Sequence, residues 1–147
     1  FPHLEEHIAQ KKAIFERYRE AFRDLPVTMN SFDAENSVPN YWLSCLLIDR
    51  DAMCVQKRGA LEASYIKEPG KTCPTEILEA LTAINAEGRP IWKPMHLQPI
   101  YRSSAFVSLG EDVGTDIFAR GVCLPSDNKM TPEQQHRVIE AVRKCFE

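Results

Sequence analysis

The sequence predicts an α+β or α/β sandwich of two layers, a small sheet covered by helices. Three observations carry this. Apolar residues recur at helical spacing near both ends of the chain, over residues 4–25 and 131–146. Residues 40–49 (NYWLSCLLID) are apolar at nearly consecutive positions, as in a central strand buried on both faces. The elements follow in the order helix, strands, helix, strand, strand, helix, and such elements bury their apolar faces as packed layers. A chain of 147 residues suits one domain and is long enough to bury a core.

Leu4, Ile8, Phe15, Tyr18, Phe22 and Leu25 form the apolar stripe of the first helix, which Pro26 ends. Its length suits a helix that bridges to something else. Residues 26–32 fit a short edge strand, and residues 33–39 hold turn formers. Residues 50–72 are consistent with a poorly periodic helix around Ala52 to Val55, then a loop containing Pro69-Gly70. Cys73-Pro74-Thr75-Glu76 opens a second helix with proline at its first position. Ile77, Leu78, Leu81 and Ile84 are its buried stripe, and Gly88 follows its end. Residues 89–101 begin as strand and continue as loop, and residues 102–114 are exposed loop or short turns. Residues 116–120 make one helical turn closed by Gly121. Val122-Cys123-Leu124 is a short buried strand stopped by Pro125. Thr131 and Gln134 have the spacing of a capping box, opening a last helix that buries Val138, Ile139, Val142 and Phe146.

Composition narrows the function. The formal charge of -3 and the lack of clustered lysine and arginine, Lys57-Arg58 apart, argue against nucleic acid as a partner. No apolar run approaches the length that spans a bilayer, so no membrane role is expected, and a cytoplasmic location is. Phe1 opens the sequence where a Met would start a gene product. Sequence upstream is therefore expected, or a processed start. The five cysteines contain no CxxC pair, which excludes zinc-ribbon and thioredoxin-like readings and suits a reducing compartment. Cys45 and Cys123 sit in apolar runs as small core residues, whereas Cys54 is the best candidate for an exposed thiol. Tyr41 and Trp42, on the expected central strand, are read mostly as core. His3, His7 and His136 lie among charged neighbours and are read as solvated.

Residues 89–101 (RPIWKPMHLQPIY) carry most of the chemistry. Their three prolines bar helix and hold the backbone extended. A core has no use for Arg89, Lys93, His96, Gln98 and Tyr101 on one stiff segment, but a pocket for an anionic, ring-shaped ligand does. Arg89 and Lys93 are candidates to neutralise a diphosphate, against the alternative of solvated cations or an Arg89 carboxylate pair. His96 either hydrogen-bonds the ligand or pins the loop. Tyr101 and Trp92 either pack on a sugar or base face or serve core and interface, the latter favoured for Trp92. There is no glycine-rich phosphate cradle among the six glycines, so the chain lacks a complete cofactor site of its own.

Several of these pieces, in order, resemble the C-terminal part of the DegT/DnrJ/StrS sugar aminotransferases. They are Arg17-Tyr18-Arg19-Glu20-Ala21, Asn40-Tyr41-Trp42, Gly88-Arg89-Pro90 and, closest, Trp92-Lys93-Pro94-Met95-His96-Leu97-Gln98-Pro99. Phe118 to Ser126 and the closing helix complete the match. The resemblance implies an α+β small domain with a mostly antiparallel sheet, spanning residues 1–147, from which an N-terminal domain that binds pyridoxal 5′-phosphate is missing. It implies a nucleotide-linked keto-sugar as amino acceptor, glutamate as usual donor, a homodimer, and a role in polysaccharide or glycan precursor synthesis. It places Arg89, Lys93, His96 and Tyr101 on the substrate side and the cofactor lysine outside this chain, which alone is expected to be inactive. A stand-alone binding module on the same scaffold, and a sugar dehydratase of the same broad family, are the alternatives.

Overall fold

Four antiparallel strands make the sheet on which the helices rest. In the computed structural model, which describes residues 2–59 and 62–147, they are β1 (Val27–Met29), β2 (Ser44–Ile48), β5 (Arg89–Pro90) and β6 (Gly121–Leu124). Their order across the sheet is β1-β2-β6-β5. A hairpin of β3 (Gln56–Arg58) and β4 (Ala63–Tyr65) lies apart from it. The helices are α1 (Leu4–Ala21), α2 (Pro74–Ala83), α3 (Val113–Arg120) and α4 (Pro132–Lys144). This is the α+β arrangement expected, with a mostly antiparallel sheet. No helix among the described residues is long and apolar enough to cross a membrane.

One face of the sheet makes the core. Alternate residues of β2 and β6 point to the same side because Leu46 pairs with Val122 and Ser44 with Leu124. Against Leu46, Ile48, Val122 and Leu124 pack Phe15, Tyr18 and Phe22 from the α1 stretch, Ile77 and Leu81 of α2, and Val138 and Val142 of α4. The Tyr18 hydroxyl, buried in this layer, donates to the Pro125 carbonyl at 2.7 Å, and its burial raises the phenol's pKa. Gln135 is wholly buried and donates to the Ile14 carbonyl at 2.8 Å, tying α4 to α1. The capping box at the start of α4 forms as the sequence requires, with Thr131 and Gln134 each accepting from the other's amide.

Several boundaries differ from the sequence reading, each for a local reason. α1 stops at Ala21, and Phe22 and Leu25 reach the core from the turns that follow. Its first two turns are mostly exposed, Leu4 among them. β2 begins at Ser44, not at residue 40. Asn40 accepts the Trp42 amide at 3.0 Å and Tyr41 is left-handed (φ 52°), a sharp bend that no strand tolerates. α2 is closed by left-handed Asn85 (φ 58°) instead of by Gly88. The segment 50–58 holds a single 3-10 turn and β3, not a helix. The β3–β4 hairpin escaped notice because its three-residue strands are polar and short, with no alternation to read. Polar contacts hold it in place. Gln56 donates to the Ala119 carbonyl, Arg58 donates to the Phe118 carbonyl, and the Arg58 guanidinium lies over the Phe118 ring at 4.2 Å. α3 starts three residues earlier than expected, capped by Asp112, which accepts from the Thr115 amide.

Candidate functional site

The other face of the same strands is less completely covered, half-buried along β2 though still buried along β6. Cys45 and Leu47 of β2 are half-buried and alternate with the core residues. Cys45 pairs across the ladder with Cys123, and Cys123 pairs with Arg89. Directly opposed residues share a face, so Cys45, Cys123 and Arg89 form one row away from the core. Beyond Pro90 the chain leaves the sheet, and Ile91 passes over Gly121. A Cβ at Gly121 would lie 2.7 Å from the Ile117 carbonyl oxygen and well inside contact with Ile91, so only glycine permits this close approach.

Above this row lies a cleft of about 640 Å³, lined by Lys11, Trp42, Arg89, Trp92, Lys93 and Phe118, with Cys123 and Ser126 at its floor. The bend at Tyr41 explains one wall. It sends the Tyr41 ring into the core against Phe15, with centroids 5.3 Å apart, and turns Trp42 outward. Trp42 is 66% exposed and Trp92 64%, with ring centroids 6.3 Å apart. Reading Trp42 as core is therefore overturned. Trp92 is not core either; in this chain it is a free aromatic surface.

The sequence-predicted residues divide between two places. Arg89 and Lys93 reach the cleft. Arg89 holds Glu87 at 2.6 Å, an exposed pair that contributes little and that an anionic ligand can displace. Lys93 is exposed and makes no ion pair among the described residues. His96 lies outside the cleft, on the 3-10 turn Met95–Leu97. Its Nε2 is 2.7 Å from Asp112 and 3.2 Å from the Thr115 hydroxyl, and its ring stacks on Phe106 at 3.8 Å. That geometry ties the turn to the start of α3. Asp112 is held below the usual carboxylate range, first by the Thr115 hydroxyl and amide and then by His96. Tyr101 ends the next turn, Pro99–Tyr101, half-exposed and outside the cleft lining. Arg89, Lys93, His96 and Tyr101 are thus not sealed in the interior.

The far end of α3 is anchored by charge. Asp116 accepts from Arg120 at 2.5 Å and from Arg50 at 3.2 Å, and the Arg120 hydrogen bond is the main reason its pKa falls to about 2. Arg120 also donates to the Ile48 carbonyl, binding α3 to the end of β2. Sequence reasoning missed Lys11, Trp42 and Phe118 in the cleft. Asn40 ahead of Tyr41 was a usable turn signal for Trp42; Lys11 had none, because its partner, the Ser126 carbonyl, is 115 residues away. Cys54 is also corrected. It is buried, its amide donates to the Thr72 carbonyl at 2.9 Å, and burial pushes its thiol up to about 12.

The cleft suits a ligand with negative charge and flat or apolar faces. It does not make a pyridoxal phosphate site alone. Lys11 is committed to Ser126, Lys93 is exposed, and among the described residues none that lines the cleft lies in the first turn of a helix, where a phosphate is cradled.

Known proteins are similar to this chain in sequence and in fold. EpsN of Bacillus subtilis (strain 168), whose name proposes a pyridoxal phosphate-dependent aminotransferase, is 33% identical over 146 residues, covering 97% of this chain and 32% of EpsN. The crystal structure of DesI, solved in the presence of its TDP-sugar product, matches with a TM-score of 0.73 at 21% identity, over 99% of this chain and 32% of DesI. DesV of S. venezuelae, in complex with a ketimine intermediate, matches with a TM-score of 0.71 at 19% identity, over 99% and 33% of the two chains. The chain thus spans about a third of the length of these relatives. The sequence model of the DegT/DnrJ/EryC1/StrS aminotransferase family matches residues 1–143, and the chain belongs to that family.

Proposed function

We propose that this chain is the C-terminal small domain of an aminotransferase that uses pyridoxal 5′-phosphate to move an amino group onto the ketone of a nucleotide-linked sugar. Glutamate is the usual donor, the working form is a cytoplasmic homodimer, and the product feeds polysaccharide or glycan precursors. The cofactor and its lysine belong to the part of the protein outside this chain. The present domain supplies one wall of the substrate cleft. The observation that carries this reading is the convergence of Lys11, Arg89 and Lys93 on a cleft faced by Trp42 and Trp92. Cations neutralise a diphosphate, and aromatic faces pack on sugar or base. His96 and Tyr101 act from the neighbouring turns, His96 by holding the loop that carries Lys93 against α3. Holding a substrate carbon in line with the reacting amine is itself a large share of catalysis.

The test uses the full-length protein loaded with cofactor, glutamate and nucleoside-diphosphate keto-sugars, with the amino-sugar detected by mass. Each of Arg89→Ala and Lys93→Ala is expected to raise KM about tenfold, the scale of one charge-assisted hydrogen bond, with kcat less affected. Absence of any amino-sugar product, or an unchanged KM in the double variant, overturns the assignment.

A further inference from the structure

The five cysteines fall into two unlike groups. Cys54 and Cys73 are neighbours inside the core, and Cys145 is buried too. The Cys54 thiol is pushed up to about 12, first by burial and then by Cys73. Cys45 and Cys123 face the cleft side. They are directly opposed on adjacent antiparallel strands, with their sulfurs 3.7 Å apart. Residues so placed have Cα atoms about 4.5–5.5 Å apart, inside the range of about 4.4–6.8 Å that a disulfide spans. Cys45 is half-buried and Cys123 lines the cleft, so a small oxidant reaches the pair from that side.

We propose that Cys45 and Cys123 are a modification site, a thiol pair that small peroxides oxidise to a reversible cross-strand disulfide in the wall of the cleft. Cys45 is the group oxidised first. It is the more exposed of the two, and the 3.7 Å contact between the sulfurs lowers the Cys45 pKa while raising that of Cys123. The thiolate attacks one peroxide oxygen, an S–O bond forms, the O–O bond breaks, and the departing hydroxide leaves as water. The Cys123 sulfur then attacks the resulting sulfenic sulfur. An S–S bond forms, the S–O bond breaks, and a second water leaves. Two electrons from the thiol pair have reduced one hydrogen peroxide to two waters. Closing the bond draws the sulfurs together by about 1.7 Å. Arg89 stands next to Cys123 in the same row, on β5, so one of the two strands that move is the one against which a cation of the cleft is paired. In a reducing compartment such a bond is transient and reports oxidant instead of holding the fold. None of this depends on what the cleft binds.

The experiment treats the full-length protein with hydrogen peroxide, alkylates free thiols, and maps the digest without reduction. A linked peptide joining Cys45 to Cys123 is expected, lost on adding dithiothreitol, while Cys54 and Cys73 are alkylated only after denaturation. Cys45→Ser is expected to abolish the linked peptide and Cys54→Ser to retain it. Separate alkylation of Cys45 and Cys123 after peroxide overturns the proposal, as does a linkage of Cys54 to Cys73 in its place, or sulfinic acid at Cys45 with no crosslink. The unmodified protein decides the matter even where a variant fails to fold.

Discussion

On their helix side, β2 and β6 present Ser44, Leu46, Ile48, Val122 and Leu124, all buried beneath α1, α2 and α4. On the other side the same two strands present Cys45, Leu47, Gly121 and Cys123 to Ile91, α3 and the cleft. The two faces differ in what holds them. The first is closed by apolar packing. The second is closed only in part, by a glycine contact, an arginine network and side chains that reach water. Strand alternation lets one pair of strands serve both purposes, so substitutions one residue apart should have unlike consequences.

Leu46→Ala should produce the largest loss. Leu46 is fully buried at the centre of the core, and truncation there removes transfer energy and leaves a cavity. A cost of about 2–5 kcal/mol is expected, measured as a lowered denaturant midpoint at unchanged slope. A cost equal to that of Leu47→Ala would mean that the two faces are equally packed. Gly121→Ala follows on the open face. Its new Cβ meets the Ile117 carbonyl and Ile91, and backbone cannot yield as a side-chain tip can. The expected cost is about 1–3 kcal/mol. Adding Ile91→Ala should restore only part, because the carbonyl clash persists.

Ser44→Ala should act in the opposite direction. The Ser44 hydroxyl is buried with no hydrogen-bond partner among the described residues, opposite Leu124. Removing an unsatisfied hydroxyl from an apolar site should stabilise the fold by about 1 kcal/mol. A raised melting temperature checks it, and a lowered one would show that the hydroxyl is satisfied.

How much of this was legible in the sequence also follows the two faces. The core face was readable because Leu46, Ile48, Val122 and Leu124 lie in short apolar runs and the terminal helices carry apolar stripes at helical spacing, although the β2 run, read as buried on both faces, is only half-buried at Cys45 and Leu47. The cleft was half readable. Arg89 and Lys93 stood out because prolines and cations crowd a segment where a core needs neither. Trp42 was lost because an apolar run read as strand up to residue 40, while one Asx bend reverses which aromatic points inward. Lys11 was lost because only the closed fold brings α1 to Ser126. Local pattern encodes what a residue does within its own element. Meetings between distant elements depend on packing that pattern does not carry.

Acid should separate the faces again. The Asp116 carboxyl ordinarily titrates near 3.8 and is held at about 2 in the fold, chiefly by Arg120. A depressed carboxylate contributes stability in full above its ordinary pKa and loses it as pH falls toward the folded value. Between about pH 4 and 2 the attachment of α3 to the end of β2 should therefore weaken, read by faster amide exchange in α3. Asp116→Asn should remove that part of the acid dependence. A carboxyl resonance titrating near 3.8 in the folded protein would show that the Arg120 contact does not persist.

The smallest effect on stability should belong to the residue most exposed to ligand. Lys93→Ala removes an exposed side chain that makes no ion pair among the described residues and buries nothing. The stability change should stay within about 0.5 kcal/mol. Binding should respond quite differently. If the open face is a ligand wall, affinity for a nucleoside diphosphate sugar should fall about tenfold in the full-length protein, and the loss should shrink as salt rises and screens the charge. A variant as stable as the parent but weaker in binding separates the two faces by function, because Leu46→Ala would lower both. Equal affinity at low salt would leave Lys93 a solvated cation and the cleft without a diphosphate partner there.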